Sequence, residues 1–198
     1  LFNQWQTEKG FIMNRVSEQD HKLSKLMVMQ VEEMKKIREE MSGMIKKVDD
    51  IEEKDLVMKI LINSRKLTAD QIFELADIIP ERCKALKIPT KGFLALMRTE
   101  SDYNSNCIFM GAKGICQVMD ITRAEAIGVT DNYKWNDPIT NTLACLLYLE
   151  YIRSLPQYKS ADFMDLARAY NRGPFHKDQR DTLAMRYQRK IEYYMSQM

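Results

Sequence analysis

Residues 96–119 read LMRTESDYNSNCIFMGAKGICQVM, a stretch in which an apolar run leads into a loop rich in turn residues. Glu100 lies where the predicted helix gives way to that loop. Leu96 and Met97 precede it by four and three residues, so they share its helix face. Gln117 follows farther along the loop, after two glycines. An acid on an apolar wall, opposite a loop that carries an amide, is typical of a site that cleaves a polar polymer.

The length of 198 residues allows one domain of ordinary size or a small domain with an appendage, and an apolar content of 45% can fill a core. The net charge of +2 gives no strong attraction to nucleic acid, so no nucleic-acid partner is expected. The four cysteines lack CxxC spacing, and glycine motifs that bind phosphates are absent, so we expect no metal and no other cofactor. The chain holds no apolar run of about 18 residues. Because it begins at Leu1, we expect a fragment or a processed form.

The first 55 residues differ in character from the rest. Residues 13–54 contain no proline and one glycine, and Lys, Glu, Met and Ile dominate, which favours helix. With Met13 at heptad position a, ten of the twelve a and d positions are apolar, and the exceptions are Asp20 and Gln30. Residues 1–55 are therefore predicted to form a coiled coil or long amphipathic helix. Three kinds of packing stay open for this helix: self-association, packing on a partner helix, and packing on its own domain. In each case it is expected to serve as a spacer or tether.

Residues 56–198 are predicted to form one globular all-α domain, because helix-start signals recur and strand-like alternation is absent. The predicted starts are a Thr68–Gln71 capping box, Asp137-Pro138, Asp162, and Asp181 or Thr182.

Several shorter elements are also predicted in this domain. Pro80 and Pro89 are expected to bracket a short helix, and Thr90 to cap the helix that carries the acid. Thr122 is expected to cap a short helix that ends at Gly128. A small hairpin is compatible with residues 102–113, and residues 115–119 are predicted to form a helical turn.

Acid chemistry is the remaining option, because His21 and His176 offer no persuasive Ser-His-Asp or Cys-His system. Cleavage of a glycosidic bond needs a carboxylic acid whose pKa is raised, and burial against apolar groups raises it. Taken alone, Glu100 fits an ordinary exposed glutamate near a helix end better than a catalytic acid.

Three further motifs accompany the Glu100-Ser101 pair. Residues 111–119 read GAKGICQVM, residues 137–141 read DPITN and residues 169–174 read AYNRGP. In this order and at this spacing they resemble the catalytic domain of lytic transglycosylases, of the soluble lytic transglycosylase type in the lysozyme superfamily. The family pattern is an E-S pair, G-x-x-G-L-M-Q, D-P-x-x-N and A-Y-N-x-G. The resemblance covers roughly residues 70–195 and implies a lysozyme-like helical domain after the coil.

The resemblance implies a reaction on peptidoglycan with Glu100 as the single catalytic acid. Glu100 would protonate the β-1,4 glycosidic oxygen between N-acetylmuramic acid and N-acetylglucosamine, then act as base on the muramyl C6 hydroxyl. That hydroxyl attacks C1 and leaves a 1,6-anhydro end, so no second carboxylate is required. The expected partner is the peptidoglycan glycan strand. The expected location is the cell envelope, the periplasm or a phage virion.

The resemblance also implies a substrate-binding set. Gln117 and Met119 are expected to line the sugar cleft, and Asn171 to hold the substrate. The hydroxyl of Tyr170 is expected to form a hydrogen bond near the acid, and Ser101 either binds substrate or holds the loop. The glycines expected to shape the loop backbone are Gly111, Gly114 and Gly173.

The chain departs from the family pattern in two places. Cys116 stands where the family has methionine, and Ile108-Phe109 stands where many members have a serine that can bind the catalytic acid. Either a nearby polar residue replaces that serine, or Glu100 is more desolvated and its pKa rises further. The candidate replacements are Ser101, Ser105 and Asn106.

Two other functions remain open from the sequence. The first is a hydrolytic muramidase on the same fold, which needs a positioned water and usually a second carboxylate from Asp102, Asp120 or Glu125. The second is a non-catalytic peptidoglycan-binding or structural component of a phage or secretion assembly.

Overall fold

The computed structural model describes residues 2–119, 134–176 and 181–198, with side chains from residue 21 onward. Its described part is mainly α-helical, as predicted, with one small antiparallel sheet. The helices are α1 (Phe2–Ser64), α2 (Ala69–Leu86), α3 (Thr90–Ser101), α4 (Pro138–Ser154), α5 (Phe163–Arg172) and α6 (Thr182–Ser196), with a 3-10 turn at Pro156–Tyr158. No described helix combines the length and apolarity needed to cross a membrane.

The chain divides into two compact units, Leu1–Asp49 and Asp50–Met198. The first unit consists of one stretch of α1, whose side chains from residue 21 are exposed. In the second unit the end of α1 packs into the core, where Val57 and Leu61 are completely buried. The predicted boundary at residue 55 stays a prediction.

Helix α2 begins as predicted but ends later. The Thr68 side chain accepts from the Gln71 amide and the Gln71 side chain from the Thr68 amide, which completes the capping box. The predicted break at Pro80 is wrong, because α2 runs through that residue. Proline removes one helical hydrogen bond at a cost of roughly 3 kcal/mol. Ile79 and Cys83 are both completely buried, and this burial on one face keeps the helix intact.

Helix α3 carries the candidate acid and lies at the centre of the second unit, where it packs against α6 and α2. Its N-cap is Pro89, without a side-chain cap, so the predicted Thr90 cap is wrong and Thr90 is the buried first residue. Gly92 lets α5 approach, since a Cβ there would come within 2.6 Å of the Phe163 ring. The helix ends at a left-handed residue, Asp102.

The loop after α3 folds into three short strands, β1 (Ile108–Phe109), β2 (Ala112–Lys113) and β3 (Val118–Met119), in the order β1-β2-β3. The hairpin between the first two agrees with the sequence-based expectation. Phe109 pairs with Ala112, which in turn pairs with Met119. The predicted helical turn over residues 115–119 is wrong at its end, because β3 pairs back onto the hairpin.

Helices α4 to α6 complete the core as predicted. Asp137 caps α4 with Pro138 at its first position, Asp162 caps α5, and Asp181 caps α6. Helix α4 packs against α2 and α5, and most of its side chains are buried. The predicted helix from Thr122 to Gly128 lies outside the described residues.

Candidate active site

Glu100 lies in the last turn of α3 and faces a cavity of about 820 Å³. Leu96 and Met97, one turn earlier, are completely buried and form the apolar wall that the sequence predicts. Glu100 is half-buried at the cavity wall, and the desolvation that this burial causes raises the pKa of its carboxyl to about 7 against an ordinary value of 4.5. A group with that pKa can both give and take a proton near neutral pH.

Two residues of α6 face the acid and oppose this rise. The buried Tyr187 hydroxyl donates a hydrogen bond to Glu100 Oε1, which lowers the pKa of the carboxyl. Lys190, whose Nζ donates to the Thr99 carbonyl at 3.0 Å, lowers the pKa of Glu100 through its positive charge. Desolvation remains the larger effect, so the pKa of Glu100 stays raised. The hydrogen bond from Tyr187 holds the carboxyl in one position.

The cavity brings together most of the predicted site. Gln117, Met119, Tyr170 and Asn171 line it with Glu100, although they come from the loop and from α5. Gly173 also lines it and ends α5 at a positive φ of 82°.

Gln117 is fixed by its own loop. Its Nε2 donates to the carbonyls of Cys107 and Gly114, each at 2.9 Å. The residue itself has a positive φ of 52°, a conformation uncommon outside glycine. These bonds hold the side chain at the cavity wall before any ligand arrives.

Ser101 and Tyr170 both donate hydrogen bonds to backbone carbonyls of the loop. Ser101 is not among the cavity-lining residues, and its hydroxyl donates to the Ile115 carbonyl at 2.6 Å, so it holds the loop. The Tyr170 hydroxyl donates to the Cys116 carbonyl at 2.7 Å. The described hydroxyl that donates to the acid is that of Tyr187.

Asn141 joins the loop to α4 and is a site residue that was not predicted from the sequence. This completely buried residue accepts from the Cys116 amide at 2.8 Å and donates to the Lys113 carbonyl at 2.9 Å. These two hydrogen bonds use one backbone group before Gly114 and one after it, and Gly114 itself has a φ of +83°. A Cβ on that glycine would overlap Asn141 and the carbonyl oxygen of Trp135. The DPITN motif supplied the signal, since its last residue is this asparagine.

An apolar lip borders the cavity at the hairpin. We define the lip as Ile108, Phe109 and Met110, whose exposed fractions are 58%, 65% and 85%. All three line the cavity, and they include the position where the family has its serine. The lip therefore offers apolar surface to a ligand, while Tyr187 provides the acid with its hydrogen bond.

Charged groups other than Glu100 in the described cavity lining are cationic. Asp102, a candidate second carboxylate, instead pairs with Lys66 at 2.7 Å and is largely exposed. Asp120 and Glu125 lie outside the described residues. Where the chain is described, no three potential ligands among His, Cys, Asp and Glu gather to hold a metal.

In the glycan cleavage that the family resemblance implies, Tyr187→Phe is expected to move the alkaline limb of the pH profile of kcat/KM to higher pH. The hydroxyl favours the charged carboxylate, so its loss leaves the pKa of Glu100 still higher. The KM should change little, because Tyr187 acts through the acid. The exposed Tyr193 of the same helix gives the matched control, Tyr193→Phe, which should leave the profile in place. A limb that stays fixed in both variants contradicts this role.

A comparison with known protein families identifies the family of the second unit. The family model described as transglycosylase SLT domain matches residues 77–194, which is more than half of the chain. The match includes Glu100, the loop, α4, α5, most of α6 and the whole described cavity lining. No curated protein and no solved structure matches the chain. This family is lysozyme-like and all-α, and its activity is that of lytic transglycosylases on peptidoglycan. The chain belongs to the transglycosylase SLT domain family.

Proposed function

We propose that the chain is a peptidoglycan lytic transglycosylase that cleaves the β-1,4 bond between N-acetylmuramic acid and N-acetylglucosamine. The observation that carries the proposal is Glu100, an acid at the cavity with a pKa near 7, held by Tyr187. The lytic route is favoured over hydrolysis because Glu100 is the one carboxylate in the described cavity lining. Hydrolysis usually employs a second.

The reaction needs two proton transfers through one carboxyl. Protonated Glu100 gives its proton to the glycosidic oxygen as the C1–O bond breaks. The resulting carboxylate then takes the proton of the muramyl C6 hydroxyl, whose oxygen forms the new bond to C1. Between these steps the carboxylate is charged, and Tyr187 and Lys190 stabilise that charge.

Substrate binding is proposed for the groups around the acid. The amide of Gln117 and the side chain of Asn171 supply polar contacts, and Met119 supplies an apolar wall. The lip adds apolar surface against which the CH face of a sugar ring can pack. Ser101 holds the loop and thereby positions the site without contacting the sugar.

The N-terminal helix is proposed to serve as a tether, with a functional boundary near residue 55. Its apolar seam is suited to self-association or to a partner helix, which would confine wall cleavage to one place. We propose that the protein works at the cell wall, either within the envelope or from a phage virion.

Product analysis tests the reaction directly. Purified sacculi are digested with the full chain, and the soluble products are analysed by mass spectrometry. Muramyl ends lighter by one water, which resist borohydride reduction, are expected. Reducing ends instead would identify a hydrolase, and binding to sacculi without product release would identify a non-catalytic component.

The rate of cleavage is expected to fall as the pH rises through about 7. Glu100 must enter the reaction protonated, and its pKa is raised to about 7. The measurement is kcat/KM against pH on soluble glycan fragments, since this parameter reports the free enzyme. An alkaline limb near the ordinary value of 4.5 would show that the acid is not desolvated as described.

A further inference from the structure

The helix α1 presents a continuous apolar face. We define the seam as its a and d heptad positions over residues 23–51, where eight of the nine side chains are apolar. These eight are between 49% and 66% exposed. Isolated apolar residues on a surface are ordinary, but a stripe at heptad spacing with one polar member in nine is the pattern of a helix that packs on another helix. Its members are Leu23, Met27, Gln30, Met34, Ile37, Met41, Met44, Val48 and Ile51.

The second unit uses another side of the same helix. Val57 and Leu61, which are buried there, occupy heptad positions c and g. Lys54 pairs with Asp77 at 2.6 Å, and it too is at a g position. Ile51, at a d position within the same unit, stays 59% exposed. Packing within this unit therefore leaves the end of the seam open.

The charges beside the seam fit a second copy of this chain. In a parallel, in-register pair, each g residue faces the e residue of the next heptad on the partner helix. Glu33 then faces Arg38, and Lys47 faces Glu52, so both charged pairs attract. The other two such pairs between residues 26 and 52 each contain an apolar side chain. We infer that the seam joins two copies of this chain in a parallel, in-register coiled coil.

An antiparallel pair fits less well. When Met34 is placed opposite Ile37 of an antiparallel partner, Glu33 faces Glu40 at both symmetry-related positions. Like charges at such positions are destabilising. The charges beside the seam therefore favour the parallel, in-register pair over this antiparallel one, although four of the nine seam residues are methionine, which is flexible in its packing.

A parallel coil has a consequence for wall cleavage. Both strands continue at the same end into their second units, so two candidate sites are tethered together. Once one site holds a glycan strand, the other meets neighbouring strands at a raised effective concentration. This extends the proposed tether role and does not depend on the chemistry of Glu100.

Charge reversal in the full-length chain tests direction and register. Sedimentation equilibrium at low salt should give two chains per particle for the wild type. Glu33→Arg places an arginine opposite Arg38 of the partner at both interfaces, and the dimer Kd should rise about tenfold. The double change Glu33→Arg with Arg38→Glu restores opposite charges and should return the Kd to near the wild-type value.

The matched control is Glu32→Arg, one residue away at position f on the far side of the helix, which should leave the Kd unchanged. A single-chain mass at the highest soluble concentration overturns the inference. A tighter dimer in Glu33→Arg also overturns it, because that change creates attraction to Glu40 in the antiparallel pair. Since the readout is mass, failure here leaves the cleavage assay unaffected.

Discussion

Glu100→Gln should reduce the release of anhydromuramyl products from sacculi by about 10²- to 10⁴-fold, the usual contribution of a general acid-base group. The amide keeps the size and shape of the side chain but cannot donate a proton to the glycosidic oxygen. Product release is measured by chromatography of soluble fragments at pH 6, where the wild-type acid is mostly protonated. Activity within a few-fold of wild type would remove Glu100 from the catalytic role.

The same variant carries its own control for folding. The pKa of Glu100 is raised in the folded state, so its contribution to stability is present below about 4.5 and is lost as the pH rises through about 7. Glutamine has no such loss. Above pH 7 the variant should therefore be more stable than wild type by on the order of 3 kcal/mol. Urea unfolding at pH 5 and pH 8 measures the difference, and an inactive but stabilised variant excludes misfolding as the cause.

Gly114→Ala adds one carbon and should lower the free energy of unfolding by about 4 kcal/mol or more, the largest loss expected for a glycine-to-alanine change in the loop. The positive φ of 83° costs an alanine about 1–2 kcal/mol. The added Cβ also overlaps the Trp135 carbonyl oxygen, which is backbone and cannot turn away, and the Asn141 amide. Equilibrium unfolding in urea measures the change in the free energy of unfolding.

Gly111→Ala separates the two causes. Gly111 has nearly the same φ, 85°, but among the described residues no atom beyond its chain neighbours lies within 4 Å of the Cβ that alanine would add. We expect it to lose only the backbone part, about 1–2 kcal/mol. Equal losses in the two variants would show that the approach of Asn141 to Gly114 contributes nothing.

Four helix starts were predictable because short-range chemistry determines them, whereas the Thr90 cap was wrong because α3 begins without a side-chain cap. The Thr68 capping box and the Asp137-Pro138, Asp162 and Asp181 caps each satisfy amides within three residues of the cap. The break predicted at Pro80 failed because burial across the second unit outweighs one lost hydrogen bond, and such burial has no local signature.

Glu100 was predictable from the sequence, but the residues that hold it and its loop in place were not. Glu100 follows apolar residues at helical spacing, and that pattern is visible in the sequence. Tyr187 contacts it across 87 positions of sequence, so only the packing of α3 on α6 brings the two together. Asn141 could be found as part of a motif, but its bonds to the loop depend on α4 and the loop folding against each other.

Gln117 gives the cleft a preference for ligand groups that donate a hydrogen bond. Both hydrogens of the Gln117 amide are occupied by carbonyls of its own loop, so its oxygen is the group left for a ligand. An acetamido N–H or a sugar hydroxyl satisfies that oxygen, whereas a carbonyl placed there meets it with like partial charge. A substituent that presents only acceptors, such as an ester, gains no hydrogen bond from this oxygen.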